Sequence, residues 1–311
     1  MEWRHAVRAG ARLTTHDRFM DFNSRRVTAI LENALLEDRA TRDATSYACI
    51  DPNQRAAGTI IAKQDCILSG LGAVSRIMDV YAMLDGAVVS HCEVTSHPEI
   101  FDGVRLRKGQ SVAVIRHNAR VLLSCERVIL NLLQRLSGIA TLTRKFVDEV
   151  AGTKAKILDT RKTAPGLRPL DKYAVRCGGG QNHRLDLSDG ILIKNNHIAL
   201  AGSIKTALER AHRNRRGTQI IEVEVRNLAE LEEALTYGAE AILLDNMPVD
   251  DTRAAVERCS QSERRIPLES SGGINLQNVR SYAETGVNFI SVGALTHSAP
   301  AVDMSLRMAP A

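Results

Sequence analysis

IIEVEVRNLAELEEALTYGAEAILLD, residues 220–245, places two short apolar runs on either side of a helical pattern. Ile220–Val225 alternates, with Glu222 and Glu224 as its polar members. Leu228–Thr236 carries its apolar residues at helical spacing, and Ala241–Leu244 is a second apolar run that ends in Asp245. A period of two, then a period near 3.6, then a short apolar run reads as strand, helix, strand.

The same rhythm extends outward from Lys154. Ile157-Leu158 is followed by Asp159-Thr160-Arg161, and Ile191–Ile193 by Lys194. Ile266–Leu268 runs into Glu269-Ser270-Ser271-Gly272-Gly273, and Phe289–Val292 into Gly293. Helical patterns recur at Asp250–Cys259 and Leu276–Glu284. Repeated βα units predict a parallel sheet, either closed into a barrel or doubly wound. Polar residues and glycines gather where the strands end, which is the active face of a βα barrel.

Upstream, Cys125–Val150 reads as one long amphipathic helix, or two joined at Ser137-Gly138. Before it, Val27–Glu37 has helical spacing, and β-like runs fall at Gly58–Ile61, Cys66–Leu71, Gly86–Cys92 and Ser111–Ile115. These predict a small sheet-rich domain over residues 1–122, a barrel over 123–296, and a segment 297–311 that returns to the first domain.

With 311 residues, 44% hydrophobic and 25% charged, the chain can bury a full core. Aromatics at 4% are too few for a protein that stacks bases. Lys and Arg number 41 against 36 Asp and Glu, so the excess of +5 suits a small anion as well as nucleic acid. No apolar stretch is long enough for a membrane span, and the first twenty residues lack a signal-peptide core. The six cysteines form no C-x-x-C pair, which predicts scattered reduced thiols in a cytoplasmic protein.

At the predicted rim, Arg161, Lys162, His183, Arg184 and Lys194 are basic, while Glu224 and Asp245 are acidic. So many cations call for a multiply anionic ligand carrying carboxylates or phosphates. The two carboxylates suit Mg²⁺ through water, or ribose hydroxyls. Backbone N–H groups at Ser271-Gly272-Gly273 and Gly293-Ala294 suit a phosphate. Taken singly, each feature has a plainer reading: Glu222 and Glu224 as a solvated strand face, Gly178-Gly179-Gly180 as a turn, His183 as a structural histidine, Glu126-Arg127 as a helix start.

The segment Leu158–Ile198, LDTRKTAPGLRPLDKYAVRCGGGQNHRLDLSDGILIKNNHI, closely resembles the signature region of the quinolinate phosphoribosyltransferases. The likeness continues through Glu126–Gly138 (ERVILNLLQRLSG), Ile221–Asn227 (IEVEVRN), Ala241–Met247 (AILLDNM), Glu269–Ile274 (ESSGGI) and Ile290–Ala294 (ISVGA). The resemblance implies an N-terminal α/β sandwich domain and an incomplete, seven-stranded α/β barrel. It implies transfer of the phosphoribosyl group of 5-phosphoribosyl 1-pyrophosphate to quinolinate with loss of CO₂, a step of NAD biosynthesis that uses Mg²⁺. It also implies a homodimer with shared active sites.

By motif, the resemblance assigns Arg161, His183, Arg184 and Lys194 to the quinolinate carboxylates, with Arg127 reaching the same ligand from the partner subunit. It assigns Lys162 to the pyrophosphate, Glu224 and Asp245 to the ribose and Mg²⁺, and Ser271, Gly272, Gly273 and Gly293 to the 5-phosphate. Two other readings use the same residues: a related transferase acting on a monoacid such as nicotinate, and a non-catalytic protein binding phosphorylated ligands or nucleic acid at a basic barrel mouth. The acidic pair and the surplus of cations speak against both.

Overall fold

The computed structural model describes residues 20–87, 91–262 and 264–311. Most of the first twenty residues, and part of the run Gly86–Cys92, lie outside them. Among the described residues the chain forms two compact units: 143–162 with 180–298, and 20–142 with 163–179 and 299–311. The divide falls within one helix, so neither unit is a single stretch of chain.

In the first unit, six strands form a parallel sheet: β6 (Lys156–Leu158), β7 (Ile191–Ile193), β8 (Ile221–Val225), β9 (Ala241–Asp245), β10 (Leu268–Ser271) and β11 (Phe289–Ser291). Their order across the sheet is β6-β11-β10-β9-β8-β7. A seventh position is a single parallel bridge, Leu158 with Gln181, at the outer edge of β6. The sheet is curled. His183, two residues beyond that bridge, lies 3.3 Å from Glu222 on β8, although β6, β11, β10 and β9 intervene in the strand order. This is the curvature of a barrel left open between Gln181 and β7.

Local chemistry places the helices around it. Asn227 accepts from the Glu230 amide at 2.9 Å and so starts α8 (Leu228–Thr236) directly after β8. Ser203 does the same for α7 (Ile204–Asn214) through the Thr206 amide. On β8 every residue is buried, because the odd-numbered apolar side chains face the helices and the even-numbered glutamates face inward. The solvated-face reading of Glu222 and Glu224 is therefore corrected: both lie inside the barrel.

The second unit holds a four-stranded antiparallel sheet, ordered β12-β1-β5-β3, from β1 (Arg55–Ala62), β3 (Glu93–Thr95), β5 (Ser111–Asn118) and β12 (Met304–Pro310). β12 pairs along β1 from Met304 to Pro310. α1 (Arg25–Glu37) and α3 (Leu71–Leu84) bury Val27, Leu31, Leu35, Val74, Ile77 and Met78. The long helix α4 runs unbroken from Ala119 to Glu149, through Ser137-Gly138. A Cβ at Gly138 would overlap the Pro300 carbonyl, so a glycine inside the helix is required by the chain crossing there. Among the described residues no helix is long and apolar enough to cross a membrane.

Candidate active site

The strand ends of the first unit surround a cavity of about 520 Å³. Of the residues singled out from the sequence, Arg161, Lys162, His183, Arg184, Lys194, Glu224, Asp245, Ser271, Gly272 and Gly273 all line it. Gly293 does not face the cavity directly, but a Cβ there would meet the Lys162 stem at 3.2 Å, so its smallness lets Lys162 lie across it. Arg127 is not among the lining residues; it is exposed on α4 and belongs to the second unit.

The basic wall follows β6 and the Gln181 bridge. Asp159, fully buried, accepts from the His183 amide at 2.9 Å and from the Asn182 side chain at 2.6 Å. That clamp fixes the N-H-R segment beside the end of β6. Arg184 donates to the Gly190 carbonyl at 3.2 Å. Burial, and then the neighbouring charge of Arg161, hold the Arg184 guanidinium below its usual pKa. The Arg161 Nε is buried with no hydrogen-bond partner. Two guanidiniums lining one cavity, one with an unused donor, form a seat for an anion.

The acidic wall lies opposite. Glu224 accepts from Lys194 Nζ at 3.0 Å. On the next strand Asp245 accepts from the Asn246 side chain at 2.9 Å. Next to it the β10 turn supplies backbone. Gly272 and Gly273 have φ of 94° and 64°, conformations that side-chain-bearing residues seldom adopt. Such a turn exposes consecutive N–H groups, the usual cradle for a phosphate.

Sequence reasoning missed a carboxylate in the cavity wall, Glu269. Glu269 follows the apolar run Ile266–Leu268 and carries no role in the sequence reading, yet β10 continues through it and Ser270 to Ser271. Glu269 and Glu222 both point at His183 Nε2, at 3.4 and 3.3 Å, and all three residues are buried. Burial works against charge on His183 and the Arg184 amide occupies Nδ1, while Glu269 and Glu222 draw the ring proton to Nε2. Burial and the Glu269 charge push the Glu222 carboxyl upward. Asn246, Ser291 and Thr160 also line the cavity and were not singled out. The signal available for Glu269 was its parity with Ser271 on one strand face.

Family comparison agrees with this geometry. The family described as quinolinate phosphoribosyl transferase matches with its N-terminal domain over residues 43–137 and its C-terminal domain over residues 139–307. The chain belongs to the quinolinate phosphoribosyltransferase family. It is 44% identical to the carboxylating nicotinate-nucleotide pyrophosphorylase of Mycobacterium leprae, over 93% of this chain and 98% of that protein. It is 43% identical to a probable enzyme of the same name from Bacillus subtilis, over 91% of this chain and 94% of that one. The crystal structure of nicotinate-nucleotide pyrophosphorylase from Ehrlichia chaffeensis superposes with a TM-score of 0.82 at 39% identity, covering 91% of this chain and 98% of that chain. Within the family's C-terminal domain, the basic wall, acidic wall and glycine turn all fall on the strand ends of the open barrel.

Proposed function

We propose that this chain joins quinolinate to 5-phosphoribosyl 1-pyrophosphate, releasing pyrophosphate and CO₂ and forming nicotinate mononucleotide. The observation that carries the reading is the Arg161–Arg184 seat, with its unused buried Nε, set across from Glu224 and Asp245. A dianionic pyridine and a polyanionic sugar phosphate repel each other, and only a cation-rich pocket brings them together.

Arg161, Arg184 and Lys194 receive the two ring carboxylates, and His183 stands beside them on the same wall of the cavity. Ser271, Gly272 and Gly273 receive the 5-phosphate, and Lys162, lying across Gly293, the pyrophosphate. Attack of the ring nitrogen on the ribose C1 expels pyrophosphate, and the positive charge that develops at C1 is stabilised by Glu224 and Asp245. Loss of CO₂ leaves its electron pair on ring C2, stabilised by the adjacent pyridinium nitrogen, and a proton from solvent takes that pair to give nicotinate mononucleotide. No protein nucleophile is needed, so positioning and electrostatics supply the rate.

Glu224 and Asp245 offer hard oxygen ligands from adjacent strands on the open cavity, a donor set that fits Mg²⁺ held through water or substrate. Bound there, the ion would neutralise pyrophosphate charge. In the same reading the protein is a cytoplasmic homodimer in which Arg127 of one protomer completes the quinolinate site of the other.

A product assay tests the reading. The purified protein is incubated with quinolinate, phosphoribosyl pyrophosphate and Mg²⁺, with nicotinate in parallel. Nicotinate mononucleotide and CO₂ are expected from quinolinate; product from nicotinate alone, or from neither acid, overturns the assignment.

A further inference from the structure

In the cavity wall, His183 is held by two carboxylates to which the proposed reaction gives no role. Glu222 arrives from β8 and Glu269 from β10, at 3.3 and 3.4 Å from Nε2. On the other side of the ring, the Arg184 amide donates to Nδ1 at 2.7 Å. Asp159, at the end of β6, holds the His183 amide. Apart from His183, no described residue makes an ion pair or hydrogen bond to either oxygen of Glu269. A fully buried carboxylate with so few partners is costly, so its retention calls for a use.

The geometry settles where the ring proton sits. An amide donating to Nδ1 needs the lone pair of that nitrogen. The proton the carboxylates attract therefore lies on Nε2, between Glu222 and Glu269. We propose that Glu222 and Glu269 are positioning residues that hold His183 by its Nε2–H, so that Nδ1 stays an acceptor and anchors the Arg184 amide. Through that anchor the pair aims the Arg184 guanidinium at the quinolinate carboxylates.

A purely electrostatic role predicts the opposite sign. Two buried negative charges under an anion site weaken anion binding, so removing one should tighten it. Positioning predicts that removing one loosens binding, because the His183-Arg184 segment loses its register.

The kinetic arm of the test rests on the quinolinate reading; the spectroscopic arm does not. In Glu269→Gln and Glu222→Gln, the KM for quinolinate should rise on the order of tenfold, with the KM for phosphoribosyl pyrophosphate nearly unchanged. Tighter quinolinate binding in either variant overturns the proposal. In ¹⁵N-histidine-labelled wild-type protein, the His183 ring should show a protonated Nε2 and an unprotonated Nδ1, and Glu269→Gln should abolish that signature. A wild-type ring protonated on Nδ1, or a variant with an unchanged signature, overturns it without reference to activity. The same three groups also form a possible metal-ligand set. One equivalent of zinc retained by the purified protein, in place of the Nε2 proton, overturns it as well.

Discussion

Gly272 sits directly on Asn246: a Cβ at position 272 would overlap the Asn246 amide group. Both residues adopt left-handed backbone, with φ of 94° and 53°. The Asn246 amide nitrogen donates to the Ser271 carbonyl at 2.8 Å, so the turns after β9 and β10 are built against each other. Gly272→Ala therefore meets both a steric overlap and a disfavoured φ, the latter costing about 1–2 kcal/mol. The phosphate cradle should distort before the barrel unfolds. Steady-state kinetics should show a raised KM for phosphoribosyl pyrophosphate with the quinolinate KM little changed. Equal loss on both substrates would mean that the turn does not serve the phosphate alone.

That turn shows which parts of the site can be read from sequence. Lys194 and Asp245 follow short apolar runs directly, and Arg161 follows one after Asp159-Thr160, so their place at strand ends is a matter of period. Glu222 and Glu269 lie inside strands and face the barrel interior, and a polar residue in an alternating run looks the same whether it meets solvent or a buried histidine. Only the curl that brings the Gln181 edge round to β8 separates the two, and curl is a property of the whole sheet. The return of residues 297–311 is part of the sequence reading, but its pairing as β12 is not: its partner, β1, is some 250 residues away. For α4 the sequence leaves one helix or two open at Gly138, where the chain crossing at Pro300 and Ala301 accounts for the glycine.

Arg135 and Asp171 form a bidentate pair at 2.9 and 2.8 Å, with Asp171 fully buried. Asp171 also accepts from the Ala164 amide at 3.1 Å, two residues after Lys162. Arg135→Ala leaves a buried carboxylate without its counter-charge, a loss of about 3–5 kcal/mol. Chemical denaturation should show a lower midpoint with an unchanged slope. Arg135→Lys should recover only part of the loss, because lysine cannot make the paired contact. A midpoint within error of wild type for Arg135→Ala would show that the pair contributes nothing net.

The cysteines give a pH prediction. Burial pushes the thiols of Cys66, Cys92 and Cys259 up to about 11 and that of Cys177 to about 12, and raises Cys125 further. The reactive species is the thiolate, and it is scarce below a raised pKa. At pH 8 iodoacetamide should modify the exposed Cys49 first, with turnover retained. The other five should react only as the pH climbs toward their raised values or as the protein unfolds. Mass spectrometry after timed quenching reads this directly. Rapid alkylation of Cys177 with loss of activity would contradict a reaction that needs no protein nucleophile.

Arg127 carries the quaternary prediction. It lies exposed on α4 and does not line the cavity that holds Arg184. If it serves the partner's site, Arg127→Ala and Arg184→Ala should each abolish turnover, yet for different sites. In a randomly reassorted mixture half the dimers are mixed, and each mixed dimer holds one intact site of two. About a quarter of wild-type activity should then return, as the symmetry of a two-fold dimer requires. The assay is turnover after mild denaturation, mixing and refolding, with each variant refolded alone as control. Activity that stays at the level of the controls, in a sample shown to contain mixed dimers, would place Arg127 outside the active site.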